Sequence, residues 1–124
     1  MKQERKMNTR KKGTEYEQIA AKYLQDHGII IFEYNYRNRQ GEIDIIGKDG
    51  EYTVFFEVKY RRDNASGQPA EAVGYNKQRK ICKVADYYRM LHQIGDFSPV
   101  RYDVVAICGT EIMWYQNAFA HIDT

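Results

Sequence analysis

Four charged side chains, Glu42, Asp44, Glu57 and Lys59, stand in two stretches that otherwise read as buried β-strand: "GEIDII" (Gly41 to Ile46) and "FFEVKYR" (Phe55 to Arg61). Strands that bury both faces are near-continuous apolar runs and do not normally carry acids and a lysine. Crowded carboxylates repel one another unless positive charge sits among them. Lys59 supplies one such charge, and a hard divalent cation would neutralise the group better. Mg²⁺ prefers carboxylate oxygens, keeps several waters, and needs only one or two protein acids. Held between Asp44 and Glu57, such an ion would lower the pKa of a bound water and polarise a phosphoryl oxygen. Lys59 could then orient the attacking hydroxide or stabilise the transition state. This is the chemistry of phosphodiester hydrolysis. The bland alternative is an ordinary strand pair with one wet face, in which Glu57 and Lys59 are surface charges.

The elements that must position these groups follow from pattern. Asp49-Gly50, between Lys48 and Glu51 and flanked by strand patterns, predicts a two-residue hairpin loop of type I′. That loop sets Lys48 opposite Glu51, Asp44 opposite Phe55, and Glu42 opposite Glu57. Alternation then projects Glu42, Asp44, Phe55, Glu57 and Lys59 from one face. Diagonal neighbours on such a face lie ~7–8 Å apart at Cα, close enough for one ion to bridge Asp44 and Glu57. Glu42 opposite Glu57, and Phe55 next to Asp44, argue against a merely solvated face.

Around this hairpin, Tyr16, Ile19, Ala20, Tyr23 and Leu24 recur at helical spacing within residues 13–27. Thr14 is the expected N-cap, with Glu17 at the capping-box position, and Gly28 the expected C-terminal stop. Residues 29–37, 41–47 and 51–60 read as strands. Residues 61–74 carry turn and loop residues and read as a mobile surface loop. A second helix over residues 75–92 places Ile81, Val84, Tyr88 and Leu91 on one stripe, with Lys77 extending it toward the sheet. Two further strands, "VRYDVVAIC" and "EIMWYQ", are joined at Gly109-Thr110. The order αβββαββ reads as one α/β domain, a central mixed sheet flanked by helices.

Composition bounds the rest. At 124 residues and 43% hydrophobic, the chain is sized for one packed core. It has no apolar run of the ~20 residues that span a bilayer. Its basic start lacks the apolar stretch of a secretory signal, so a cytoplasmic protein is expected. Cys82 and Cys108 read as buried free thiols, and the scattered His27, His92 and His121 form no zinc pattern. Residues 1–12 hold six basic residues against Glu4, so +5 of the net +2 sits there and −3 in the remainder. Such a basic tail, expected to be flexible, suits a polyanionic partner or is simply solvated.

Gly41-Glu42-Ile43-Asp44 followed by Glu57-Val58-Lys59 resembles the PD-(D/E)XK nuclease superfamily, in which a first acid precedes E-x-K on the next strand. Within it the chain is most similar to the YraN-like family of small bacterial proteins, which are themselves similar to Holliday-junction resolvases. The resemblance runs from about Gly13 to Phe119. It takes in Glu17, the Gly67-x-Pro69 loop, Lys77, "RYDVV" and "NAF". Ile43 stands where the superfamily name has proline. The resemblance implies a restriction-endonuclease-like core in residues 13–124, with Asp44, Glu57 and the Val58 carbonyl as ligands of Mg²⁺ or Mn²⁺. It implies Lys59 as the catalytic lysine and Glu17 as a helical acid near the metal. Asp103 is expected to be structural.

The expected activity is metal-dependent endonucleolytic cleavage of branched or structured DNA, with RNA as the alternative substrate and a homodimer as a form that suits junction cutting. Arg61, Arg62, Lys77, Arg79, Lys80 and Lys83 are the expected phosphate contacts. The rival expectation is a nucleic-acid-binding or adaptor module that keeps the scaffold without useful catalysis.

Overall fold

The computed structural model describes residues 11–61 and 73–123, with residues 11–14 described by their backbone alone. Its elements run α1 (Lys11–Asp26), β1 (Ile30–Asn38), β2 (Gly41–Asp49), β3 (Tyr52–Arg61), α2 (Tyr75–Leu91), β4 (Val100–Cys108) and β5 (Glu111–Tyr115). This is the expected αβββαββ order. The five strands form one sheet in the order β1-β2-β3-β4-β5. Only β3 and β4 are parallel, joined through α2, and the other pairs are antiparallel. A parallel neighbour requires a crossover connection, and α2 is that crossover. Arg62, most of the loop expected over residues 61–74, and residues 1–10 of the basic tail lie outside the described residues. Among the described residues no helix is long and apolar enough to cross a membrane.

The central strand β3 is buried on both faces, and its alternation divides the core in two. Phe55 packs with Ile46, Ile81, Val84, Tyr88 and Tyr102 beneath α2. Phe56, one residue on, packs with Ala20, Leu24, Ile45 and Val105 beneath α1. Truncating either phenylalanine to alanine would cost about 3–5 kcal/mol.

Helix α1 contains Thr14, so the expected Thr14–Glu17 capping box does not form; Glu17 is a mid-helix residue. The far end is as expected. Gly28, at φ +94°, donates its N–H to the Gln25 carbonyl, while Ile29 donates to the Leu24 carbonyl. That pair of bonds is a Schellman stop, closed by the apolar contact of Ile29 with Leu24 in one cluster. Two positions expected on buried stripes are exposed. Ile19 lies on the outer side of α1, where Ala20, Ala21 and Leu24 make the contact instead, and Leu91 lies exposed at the end of α2.

The hairpin between β2 and β3 corrects the expected register. Asp49 pairs with Tyr52, so the two-residue loop is Gly50-Glu51 and not Asp49-Gly50. Gly50 alone has a positive φ (+60°), the sign pattern of a type II′ turn rather than I′. Asp49 is held in the ladder by its carboxylate, which accepts from Arg101 Nη2 at 2.8 Å. Thr53, Val54, Phe55 and Phe56 pair with Lys48, Gly47, Ile46 and Ile45. Moving the loop by one residue shifts the pairing by two, so each residue of β2 faces two positions further along β3 than expected, and Asp44 comes to the level of Glu57 instead of Phe55.

Candidate active site

Asp44 sits where β2 and β3 part. The ladder between them runs as far as Ile45 and Phe56. Beyond that pair the Val58 N–H, which would continue the ladder, donates to Asp44 Oδ2 at 2.8 Å. A strand residue turns its N–H and C=O to the same side, so the Val58 carbonyl faces the same gap. The side-chain alternation of β2 also breaks here. Ile46 and Ile43 both pack in the cluster under α2, whereas Ile45 packs under α1. Strict alternation would have put Ile43 with Ile45, so the expected projection of all the charged groups from one face does not hold. Asp44 lies in the opening, within reach of groups from both sides of the sheet.

Those groups are Glu17 from α1, and Glu57 with Lys77 on the α2 side. Glu57 is buried, and its Oε2 lies 3.5 Å from Lys77 Nζ. Burial, then the charge of Asp44, push the Glu57 carboxyl up to about 7 against the partial relief of Lys77 and Lys59. Glu17 is likewise pushed up to about 7, first by burial and then by Asp44, with Glu42 adding to the effect. Asp44 is raised by burial, opposed by the hydrogen bond from Val58. Glu17 Oε1 is buried and has no hydrogen-bond partner among the described residues. Sharing of one proton between Glu17 and Asp44 is how such an acid pair relieves its repulsion.

The remaining expected residues fall into place unevenly. Lys59 is half-buried on β3, in register with Ala106, and acts on Glu57 through its charge. Glu42 does not face Glu57; it pairs with Arg37 in the ladder and by an ion pair of 3.2 Å. Lys77 is drawn into the acidic site itself. Arg61 ends β3, and Arg79, Lys80 and Lys83 lie on α2, with Lys80 exposed.

Asp103 is structural, as expected. It is fully buried and accepts from Arg101, from Trp114 Nε1 at 2.9 Å and from the Asn117 N–H at 2.8 Å. The "RYDVV" and "NAF" segments thereby join, with Tyr102 and Phe119 stacked at 5.2 Å.

One neighbour of the site escaped the reading of the sequence. Asn35, inside β1, has φ +52° and lies close enough to Glu17 to lower its pKa. A non-glycine residue held in the left-handed region within a strand is a local strain, and such strains cluster at functional sites. The only signal was an asparagine interrupting an apolar and aromatic strand, "FEYNYR".

Among the described residues, no three histidine, cysteine, aspartate or glutamate side chains are grouped closely enough to enclose an ion. The carboxylates fit a hard divalent cation in kind: oxygen donors, an excess of negative charge, and one orphaned buried oxygen.

Residues 16–107 match the family described as Uncharacterised protein family UPF0102. A UPF0102 protein of Lachnoclostridium phytofermentans is 42% identical over 113 residues, covering 91% of this chain and 96% of that relative. One of Marinobacter nauticus is 43% identical over 116 residues, covering 89% and 93%, and one of Legionella pneumophila is 39% identical over 113 residues, covering 90% and 96%. The matched span includes Glu17, Asp44, Glu57, Lys59 and Lys77, and on that footing the chain belongs to the UPF0102 family.

Proposed function

We propose that this chain is a metal-dependent endonuclease of the PD-(D/E)XK type that hydrolyses phosphodiester bonds in branched or otherwise structured DNA. The observation that carries the reading is the meeting of Asp44 and Glu57 at the point where β2 and β3 separate, with Glu17 on one side and Lys77 and Lys59 on the other. A purely structural strand pair has no reason to bury carboxylates against each other.

In this reading Asp44, Glu57 and the Val58 carbonyl would hold Mg²⁺ or Mn²⁺. When bound, the ion polarises a phosphoryl oxygen and makes water acidic enough to attack. Asp44 is oriented for this work by the Val58 N–H, which fixes its Oδ2. Glu17 closes the site from α1 and takes up a water or proton beside Asp44. Lys59 provides positive charge where the phosphorane's negative charge develops. In the overall step a water oxygen bonds to phosphorus, one P–O bond to a sugar breaks, and the water's proton ends on the departing hydroxyl. The half-exposed Lys77, 3.5 Å from Glu57, would be free to contact a substrate phosphate were that carboxylate engaged by a cation.

The test is incubation of branched, single-stranded and blunt duplex DNA, and structured RNA, with Mg²⁺ or Mn²⁺. Metal-dependent cutting that prefers the branched DNA is the expected result. Binding of the same substrates without any cutting would instead favour the binding or adaptor module.

A further inference from the structure

The β1–β2 turn carries a second cationic feature that lies apart from the acids. Asn38 Oδ1 accepts from the Gln40 N–H at 2.9 Å, and Asn38 Nδ2 reaches the Val84 carbonyl at 3.4 Å. Gly41, at φ +148°, lies so close to α2 that a Cβ there would stand 3.4 Å from Val84 Cγ2. The turn is therefore clamped to the middle of α2. Between turn and helix opens a cavity of about 400 Å³ lined by Asn38, Arg39, Gln40 and Tyr87. That volume is in the range of clefts that take small ligands. Tyr87 is 43% exposed, and Arg39 is exposed with no ion pair among the described residues.

Helical spacing ties this cavity to the acidic site. Successive residues turn by about 100°, so Lys80, Lys83 and Tyr87 fall within about 60° of one another on one flank of α2. It is the flank toward Asn38 and Val84, and Lys77 stands at its edge on Glu57. Lys80 and Lys83 have no ion pair among the described residues. From Lys77 to Tyr87 the helix rises about 15 Å, and from Gly41 to Asp44 the strand advances about 10 Å. The result is a cationic track of two or three nucleotides' length, ending in an aromatic ring beside an arginine.

We infer that the cavity between Arg39 and Tyr87 is a subsite for one unpaired nucleotide, its base stacked on the Tyr87 ring and its phosphate on Arg39, with Lys80 and Lys83 holding the intervening phosphates. The ring and the unpaired cations are the two components of single-strand binding surfaces, where stacking tolerates any base. A base within a duplex is already stacked and does not reach such a cleft. The subsite thus selects strands with an unpaired segment two or three nucleotides from the acids. This rests on the nuclease reading for its position relative to the scissile phosphate, but not for its affinity.

The experiment measures the binding of three fluorescein-labelled DNAs of one sequence in Ca²⁺: a single strand, a fork with an unpaired arm, and a blunt duplex. Tyr87→Ala is expected to weaken binding of the single strand and the fork about tenfold, and of the blunt duplex less than about twofold. Tyr87→Phe is expected to bind like the wild type. Arg39→Ala is expected to reduce the log–log salt slope for the single strand by about 0.7. Thermal unfolding checks that each variant is folded. Equal losses on all three DNAs, no loss on any, or a wild type that binds no DNA would overturn the subsite. Cleavage in Mg²⁺ is scored separately. Discrimination by Tyr87 without any cleavage keeps the subsite and removes the nuclease, and cleavage indifferent to Tyr87 does the reverse.

Discussion

Asp103 and Glu57 are buried acids one register position apart on β4 and β3 and on opposite faces of the sheet, and their surroundings are built in opposite ways. Asp103, in register with Phe56, has both oxygens engaged by the Arg101 guanidinium, the Trp114 indole and the Asn117 N–H. Arg101 is in turn shared with Asp49 and lies 5.2 Å from the Tyr52 ring. Glu57, on the other face, has the half-exposed Lys77 and a repelling neighbour in Asp44, and Glu17 has an oxygen with no partner among the described residues. The first network spends its carboxylate on the fold. The second leaves its carboxylates only partly satisfied, with mutual repulsion and one orphaned oxygen, which costs stability unless something else comes to occupy them.

The comparison is broken most forcefully on the structural side. Asp103→Ala leaves the Arg101 charge and the Trp114 and Asn117 donors without their acceptor. A loss of about 3–5 kcal/mol is expected, read from urea unfolding. Asp44→Asn removes repulsion while its side-chain oxygen still accepts from Val58, and its stability is expected to stay within about 1 kcal/mol of the wild type.

Acidity sharpens the same contrast. The Glu17 and Glu57 carboxyls are raised in the folded chain to about 7, above the 4.5 of an unperturbed glutamate. Folded protein then holds more protons than unfolded protein between these values, so stability falls as pH rises. Without divalent cations, the contribution of these groups is fully present below about pH 4.5 and lost above about pH 7. The expected decline is on the order of a few kcal/mol, seen as a lower melting temperature at pH 8 than at pH 5. In Glu57→Gln that decline should shrink. Added Mg²⁺ or Mn²⁺ should stabilise the wild type more at pH 8 than at pH 5, because ligand carboxylates must be deprotonated. A pH-independent stability, or equal stabilisation by metal at both values, would show these acids to be as satisfied as Asp103.

The smallest effect is expected at the ion pair of Lys77 with Glu57 on the α2 side of the site. Lys77→Gln removes a half-exposed partner of Glu57, so folding stability should change by less than about 1 kcal/mol. Its DNA affinity should drop by one phosphate contact, about 0.9 in the salt slope on duplex.

The contrast also marks what the sequence could disclose. Element order and the nearness of Asp44 to Glu57 followed from local patterns, since strand periodicity and a glycine turn are written in neighbouring residues, but the expected pairing of Glu42 with Glu57 did not hold. The loop position was missed by one residue because Asp49 answers to Arg101, 52 positions away, and not to its own turn preference. Glu17 sits at capping-box spacing from Thr14, and only the helix's earlier start and the packing of α1 against β2 turn it toward Asp44. The break in β2 alternation at Asp44, and the left-handed Asn35 beside it, are departures from strand regularity that a period-two pattern cannot encode. Departures of this kind fall where the molecule serves something other than its own stability.

The central claim is that Asp44 belongs to chemistry and not to the fold. It is tested most directly by single-turnover cleavage of a branched DNA in Mg²⁺ by the wild type and by Asp44→Asn, with affinity for the same DNA measured in Ca²⁺. The account predicts cleavage by the wild type and a rate reduced at least ~10²-fold in the variant, with affinity changed less than about tenfold. Equal rates for the two proteins, or a wild type that binds the DNA and never cuts it, would contradict it.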